Sequence, residues 1–196
     1  MSGRSIALGM VMLVAGVGQA FAAADVPSLI DSAHQFFQKG DIARAAHQLE
    51  TALADLHDRL GRGLSEDMPP TPAGWQGEDA EIQGLGAVGG GLSVTRAYTK
   101  GDASLNASLI LDSPAVEAAA ALVANPAAQP NFRRVKVGAD DALVRWDPAG
   151  RTGEITMVVG NRVLLQIEGD NLTNGDTLVD LAKGFNVAGI RKLIGI

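Results

Sequence analysis

The sequence predicts an α+β protein: an N-terminal αα-hairpin, then an antiparallel β-sheet domain with helices packed on one of its faces. Three observations predict it. Apolar residues recur at helical spacing from Leu29 to Leu60. A block rich in glycine and proline, from Gly61 to Gly74, then interrupts that pattern. Beyond Trp75 the apolar residues alternate in short runs separated by turn residues, and only two stretches return to helical spacing. Strand runs interrupted by two helices favour an antiparallel sheet over a parallel one.

The chain of 196 residues opens on a segment with the three parts of a secretory signal peptide. Arg4 supplies the charge, the run from Ile6 to Val17 is apolar, and Ala20-Phe21-Ala22 is the small-x-small pattern that a signal peptidase reads. The apolar run is shorter than the roughly 20 residues of a bilayer span. Residues 1–22 are therefore expected to be removed, leaving a periplasmic protein with no stable membrane anchor.

Residues 26–62 are expected to form the helical hairpin. The first helix covers 27–38, with Leu29, Ile30, Ala33, Phe36 and Phe37 on one side. Lys39-Gly40 breaks it, and Asp41 can cap the second. There Ile42, Ala45, Ala46, Leu49, Ala52, Leu53, Leu56 and Leu60 recur at helical spacing. The stretch FFQKGDIARAAHQLETALADL resembles one tetratricopeptide unit. A lone unit cannot stack into a solenoid, which takes about three. Its apolar stripe must lie on the following domain or on a partner.

Residues 63–75 read as a Pro/Gly linker, and residues 76–196 as the α+β domain. Trp75 and Trp146 are expected to be buried, as large side chains flanking strands. Strands are expected at 78–86, 92–99 and 104–111, the last two joined by the Lys100-Gly101-Asp102 turn. Ser113-Pro114 opens a helix over 114–124, with proline at the first-turn position that tolerates it. Four strands follow at 133–137, 142–146, 154–159 and 162–168, and Gly160-Asn161 supplies a tight turn between the last two. Thr173 and Asp176 suggest a cap for a helix over 175–185, and a short turn at 190–193 closes the chain.

Composition narrows the function classes. With 16 Lys and Arg against 22 Asp and Glu, the net charge is −6, a poor match to nucleic acid or anionic lipid. No cysteine is present, so disulfides, thiolate metal sites and cysteine nucleophiles are excluded. Gly84, Gly86 and Gly89 match G-x-G-x-x-G, but the run leads into a strand rather than the helix a dinucleotide site requires. His34, His47 and His57 all lie in the hairpin, at spacings that do not make a helical metal pair. The acidic pairs Glu66-Asp67 and Asp140-Asp141 fall in linker and turn positions. The Asp170 loop fails the calcium pattern, because its third position is Leu172. No serine sits in a G-x-S-x-G elbow. The sequence assigns no catalytic residue, no metal ligand and no cofactor.

The stretches MPPTPAGW, EDAE, VTRAYTKGD, LDSPAV, ALVRWDP, GEITMVVGNRVLLQIEG and LVDLAKGFNVAGIRKL span nearly the whole exported chain. On them the chain resembles a family of uncharacterised bacterial secreted proteins. More loosely, the order of hairpin, helix, strands and C-terminal helix is similar to Mog1/PsbP-like sandwiches. That likeness implies an assembly or binding module. The expected role is a non-enzymatic protein-interaction or scaffolding module. Phe36, Phe37 and Leu49 are its docking residues, and an envelope protein is its partner. The alternative is a small apolar ligand held between the sheet and the alanine-rich helix at 114–124. N-terminal sequencing of the exported protein should begin at Ala23; a chain that still begins at Met1 would contradict the cleaved leader.

Overall fold

The computed structural model describes residues 25–125 and 131–196. The leader expected over residues 1–22 lies outside the described residues. Helix α1 (Val26–Gln38) starts at Asp25, whose carboxylate accepts from the Ser28 N–H, with Pro27 in its first turn. Helix α2 (Ile42–Glu66) starts at Asp41, whose carboxylate accepts from the Arg44 N–H. Capping of this kind satisfies donors that a helix start leaves free.

The second helix runs past the expected boundary at 62, so the connector shortens to 67–75. Gly61 is the physical reason. It is buried, and a Cβ there would collide with the Ile82 Cγ2 methyl. The glycine is a notch that lets the helix lie close against the sheet edge, rather than a break in it.

The described strands form one eight-stranded antiparallel sheet. Two short edge strands, β1 (Gln76–Gly77) and β2 (Glu81–Gly84), pair with different parts of β3 (Leu92–Lys100). They replace the single strand expected at 78–86. A 3-10 turn at Gly86–Val88 joins β2 to β3. Gly91 ends that loop at φ +98°, where a Cβ would collide with the Leu111 and Asp112 carbonyls, so no side chain fits there. β4 (Ala103–Leu111) returns beside β3. Helix α3 (Pro114–Ala124) follows, started by Ser113, whose hydroxyl accepts from the Ala115 N–H. β5 (Phe132–Val137), β6 (Asp140–Asp147), β7 (Thr152–Val159) and β8 (Val163–Asp170) then form a meander. β8 pairs with β4, from Ser104 opposite Asp170 to Leu111 opposite Val163, which joins hairpin and meander into one sheet. Helices α4 (Asp176–Ala182) and α5 (Val187–Ile194) end the chain.

Side chains alternate between the two faces of the sheet. One face carries Leu92, Val94, Tyr98, Leu109, Ile155, Met157, Leu165 and Ile167, all buried. Leu64 of α2, Met68 of the connector, Leu178 and Leu181 of α4 and Ile190 of α5 cover it. Helices are not confined to that face. α3 lies on the other, with Val116 and Ala119 packed on Leu164, Ile110 and Val158. The reason is in the register: Ile110, Leu164 and Val158 are neighbours across the ladder and, with Leu143 on the same face, make an apolar patch there.

Three arginines clasp the loops. Arg162 donates to both carboxylate oxygens of Asp112, at 2.8 and 2.6 Å, and to the Ile194 carbonyl at 2.9 Å. Arg151 donates to the carbonyls of Leu172 and Asn171. Arg191 donates to Asp140 across 2.6 Å, tying α5 to β6. Asn174, rather than Thr173, caps α4, accepting from the Asp176 and Thr177 N–H groups. The residues expected as a final turn are part of α5, whose start Asn186 caps by accepting from the Gly189 N–H. Trp75 and Trp146 are half-buried rather than buried; both pack at the margin of the core.

The connector is pinned by Tyr98. Its hydroxyl donates to the Pro69 carbonyl at 2.6 Å inside the core. Burial pushes the phenol up to about 12, against an opposing pull from Arg96.

In an open helix interior Gly→Ala gains about 1 kcal/mol, but overpacking costs about 1–3 kcal/mol. Gly61→Ala should therefore lower stability in urea melts. Gly63→Ala should raise it, because the nearest atom to its Cβ, at 2.8 Å, is the end of the exposed Leu193 side chain. For the chain's single tyrosine, absorbance at alkaline pH should show no phenolate until near pH 12. From pH 10 to 12 the unfolded chain gives up a proton that the folded one keeps, so stability falls as pH rises through that window. Tyr98→Phe should abolish that alkaline step and cost about 1–2 kcal/mol by leaving a buried carbonyl short of a donor.

Candidate functional site

The hairpin is held to the domain by one end of one helix. Along α2, Ile42, Leu49, Leu53, Leu56, Leu60 and Leu64 fall within a narrow stripe at 100° per residue. The stripe has two fates. Leu64 is fully buried in the sheet core and Leu60 packs against it. Ile42, Leu49, Leu53 and Leu56 are exposed, Leu49 by 52 % and Ile42 by 58 %.

Helix α1 does not cover them. It packs on the flank of α2, through the small side chains Ala45 and Ala52, with Val26, Leu29 and Ala33 as its own buried residues. Ile30 and Phe37 lie beside that contact and are exposed. In an antiparallel pair, the rotation from contact to exposed stripe carries both helices' residues to the same side. Ile30, Phe37, Ile42, Leu49, Leu53 and Leu56 thus form one apolar face. The ion pairs Asp55–Arg59 and Asp58–Arg62 sit on the opposite side of α2.

The three residues expected to dock are placed differently from one another. Phe37 and Leu49 lie on the exposed face. Phe36 is half-buried, with the Arg44 guanidinium 4.8 Å above its ring, at the flank where the helices meet. Ile30, Ile42, Leu53 and Leu56 belong to the face as well; sequence places them in the apolar stripes without marking them as docking residues. The signal was present as two angular subsets of one pattern. Positions 45 and 52 serve the hairpin contact, while 42, 49, 53 and 56 lie to one side of it.

A second concavity lies on the sheet face that carries α3, beyond the helix. It is a trough of about 530 Å³ lined by Asn106, Arg145, Glu154, Glu168 and Asp170 among others. Arg145 donates to Glu154 at 3.0 Å and Gln166 to Glu168 at 3.1 Å. Between the sheet and α3, where an apolar ligand was expected, Val116 and Ala119 rest directly on the strands. Of the histidines, the His34 ring lies 3.2 Å from the Gln38 amide, and only the backbone carbonyl of His47 accepts a bond, from the Thr51 hydroxyl. Among the described residues no three His, Asp or Glu side chains come together as a metal-binding group, and no described helix is long and apolar enough to cross a membrane. No protein-family model, curated protein or solved structure matches the chain.

Proposed function

We propose that this protein is a non-enzymatic interaction module of the periplasm that docks through the exposed apolar face of its helical hairpin. One observation carries the reading: six large aliphatic and aromatic side chains face solvent on one side of the hairpin. An isolated exposed leucine needs no explanation, but a continuous apolar patch on a monomer marks an interaction surface. The rigid attachment of α2 through Gly61 and Leu64 supports the same reading, since it presents the face in a fixed orientation. The leader-like N-terminus supports an envelope location, and the direct packing of α3 on the strands gives the alternative of a small apolar ligand between them less to stand on.

Photo-cross-linking in intact cells tests the reading. A benzoylphenylalanine in place of Leu53 should give a discrete protein adduct in the envelope fraction. The same probe in place of Thr51, on the opposite side of α2, should give none. Absence of any adduct from Leu53, or the same diffuse products from both sites, would contradict it.

A further inference from the structure

We infer that the occupant of the hairpin face is a second copy of this chain, docked antiparallel about a two-fold axis at Leu49. The inference rests on the interaction-module reading and names the partner.

Three features of the face point to self-association. The first is symmetry. Ile42, Leu49 and Leu56 are spaced seven residues apart, so the pattern reads the same in both directions from Leu49. An isologous interface requires that self-complementarity. Laid antiparallel, Ile42 of one copy meets Leu56 of the other and Leu49 meets its own counterpart.

The second feature is length. The exposed part of the stripe, from Ile42 to Leu56, is about 21 Å long at the helical rise. In this register the Gly40 turn of the second copy falls opposite residue 58, just short of Leu60. From Leu60 onward the chain's own sheet covers the stripe. Each sheet domain thus acts as a stop for the other hairpin, and each exposed segment spans the other completely. The paired hairpins would make a four-helix bundle with Ile30 and Phe37 at its flanks.

The third feature is area and charge. The six side chains present on the order of 600 Å² of apolar surface, which covers the roughly 500 Å² of apolar area within the roughly 800 Å² per partner of a standard-size interface. No Asp, Glu, Lys or Arg of α2 falls within the stripe, so two copies meet without like-charge repulsion there. A charged partner would find nothing to complement.

Sedimentation of the purified, exported protein tests this. At about 50 µM the chain should sediment with twice its monomer mass. Leu49→Glu, which places two carboxylates together at the axis, should raise the dissociation constant by roughly 100-fold or more. Because Leu49 is half exposed in the single chain, far-ultraviolet circular dichroism should be unchanged; Leu53→Lys is a second variant with the same expected loss. Ile42→Glu or Leu56→Lys alone should also dissociate the dimer. The two together should restore it, because the register sets them opposite each other. A monomer at 50 µM, a Leu49→Glu variant that remains dimeric, or no restoration by the double substitution would overturn the proposal. A monomeric purified chain that still cross-links from position 53 to a different envelope protein would overturn the second copy alone. A monomer with no adduct at all would remove the interaction reading as well.

Discussion

The fold turns on the contact between the C-terminal part of α2 and the sheet. Gly61 removes the one side chain that would hold the helix away from Ile82. The helix then lies close enough for Leu64 to reach the core that Leu92, Val94 and Tyr98 line from below. Without that approach the hairpin would have no fixed attachment, because α1 makes its described apolar contacts with α2 rather than with the sheet. Burying leucine side chains contributes about 1.5–3 kcal/mol each. Leu64 and Met68 therefore do more for the orientation of the hairpin than any surface ion pair along it.

The same contact decides where the stripe must be left uncovered. A straight α-helix of 25 residues is longer than the sheet edge it packs on. Its apolar stripe continues past that edge without changing character, so Ile42 through Leu56 face solvent for the same geometric reason that Leu64 does not. The clasps on the rest of the domain keep this arrangement closed at the other end. Arg162 joins the turn before α3, the turn before β8 and the end of α5 through three hydrogen bonds. The Arg162 guanidinium holds the Asp112 carboxyl below the usual carboxylate range. Asp67 behaves oppositely: partial burial raises it, although the Asn186 amide donates to it at 2.7 Å.

Much of the fold is legible in the sequence, and the exceptions share a cause. Strands β3 and β4 alternate, the meander from β5 to β8 reads as short apolar runs, and the turns carry residues that accept positive φ, such as Gly160 and Asn161. What could not be read were features in which a residue's role depends on a distant neighbour. Gly61 and Gly63 read as breakers, yet both sit inside α2, and Gly61 is there because Ile82 occupies the space beside it. Helix α5 hides behind Gly189, whose closeness to Asp67 and Asn186 leaves no room for a side chain. The half-burial of Trp146 and the placement of α3 on the second face depend on cross-strand register, which local alternation does not specify. For the hairpin, sequence supplied the stripe and picked out Phe37 and Leu49 on it. It could not divide the stripe between sheet, sister helix and solvent.

The central claim is that one apolar stripe on α2 is covered twice, by the chain's own sheet at one end and by a second copy at the other. Hydrogen exchange measured at low and high protein concentration tests it most directly. The account predicts that the amides of residues 60–66 exchange at rates independent of concentration. Those of residues 42–56 should become markedly more protected as concentration rises. Protection that stays the same over 42–56 at every concentration would contradict it.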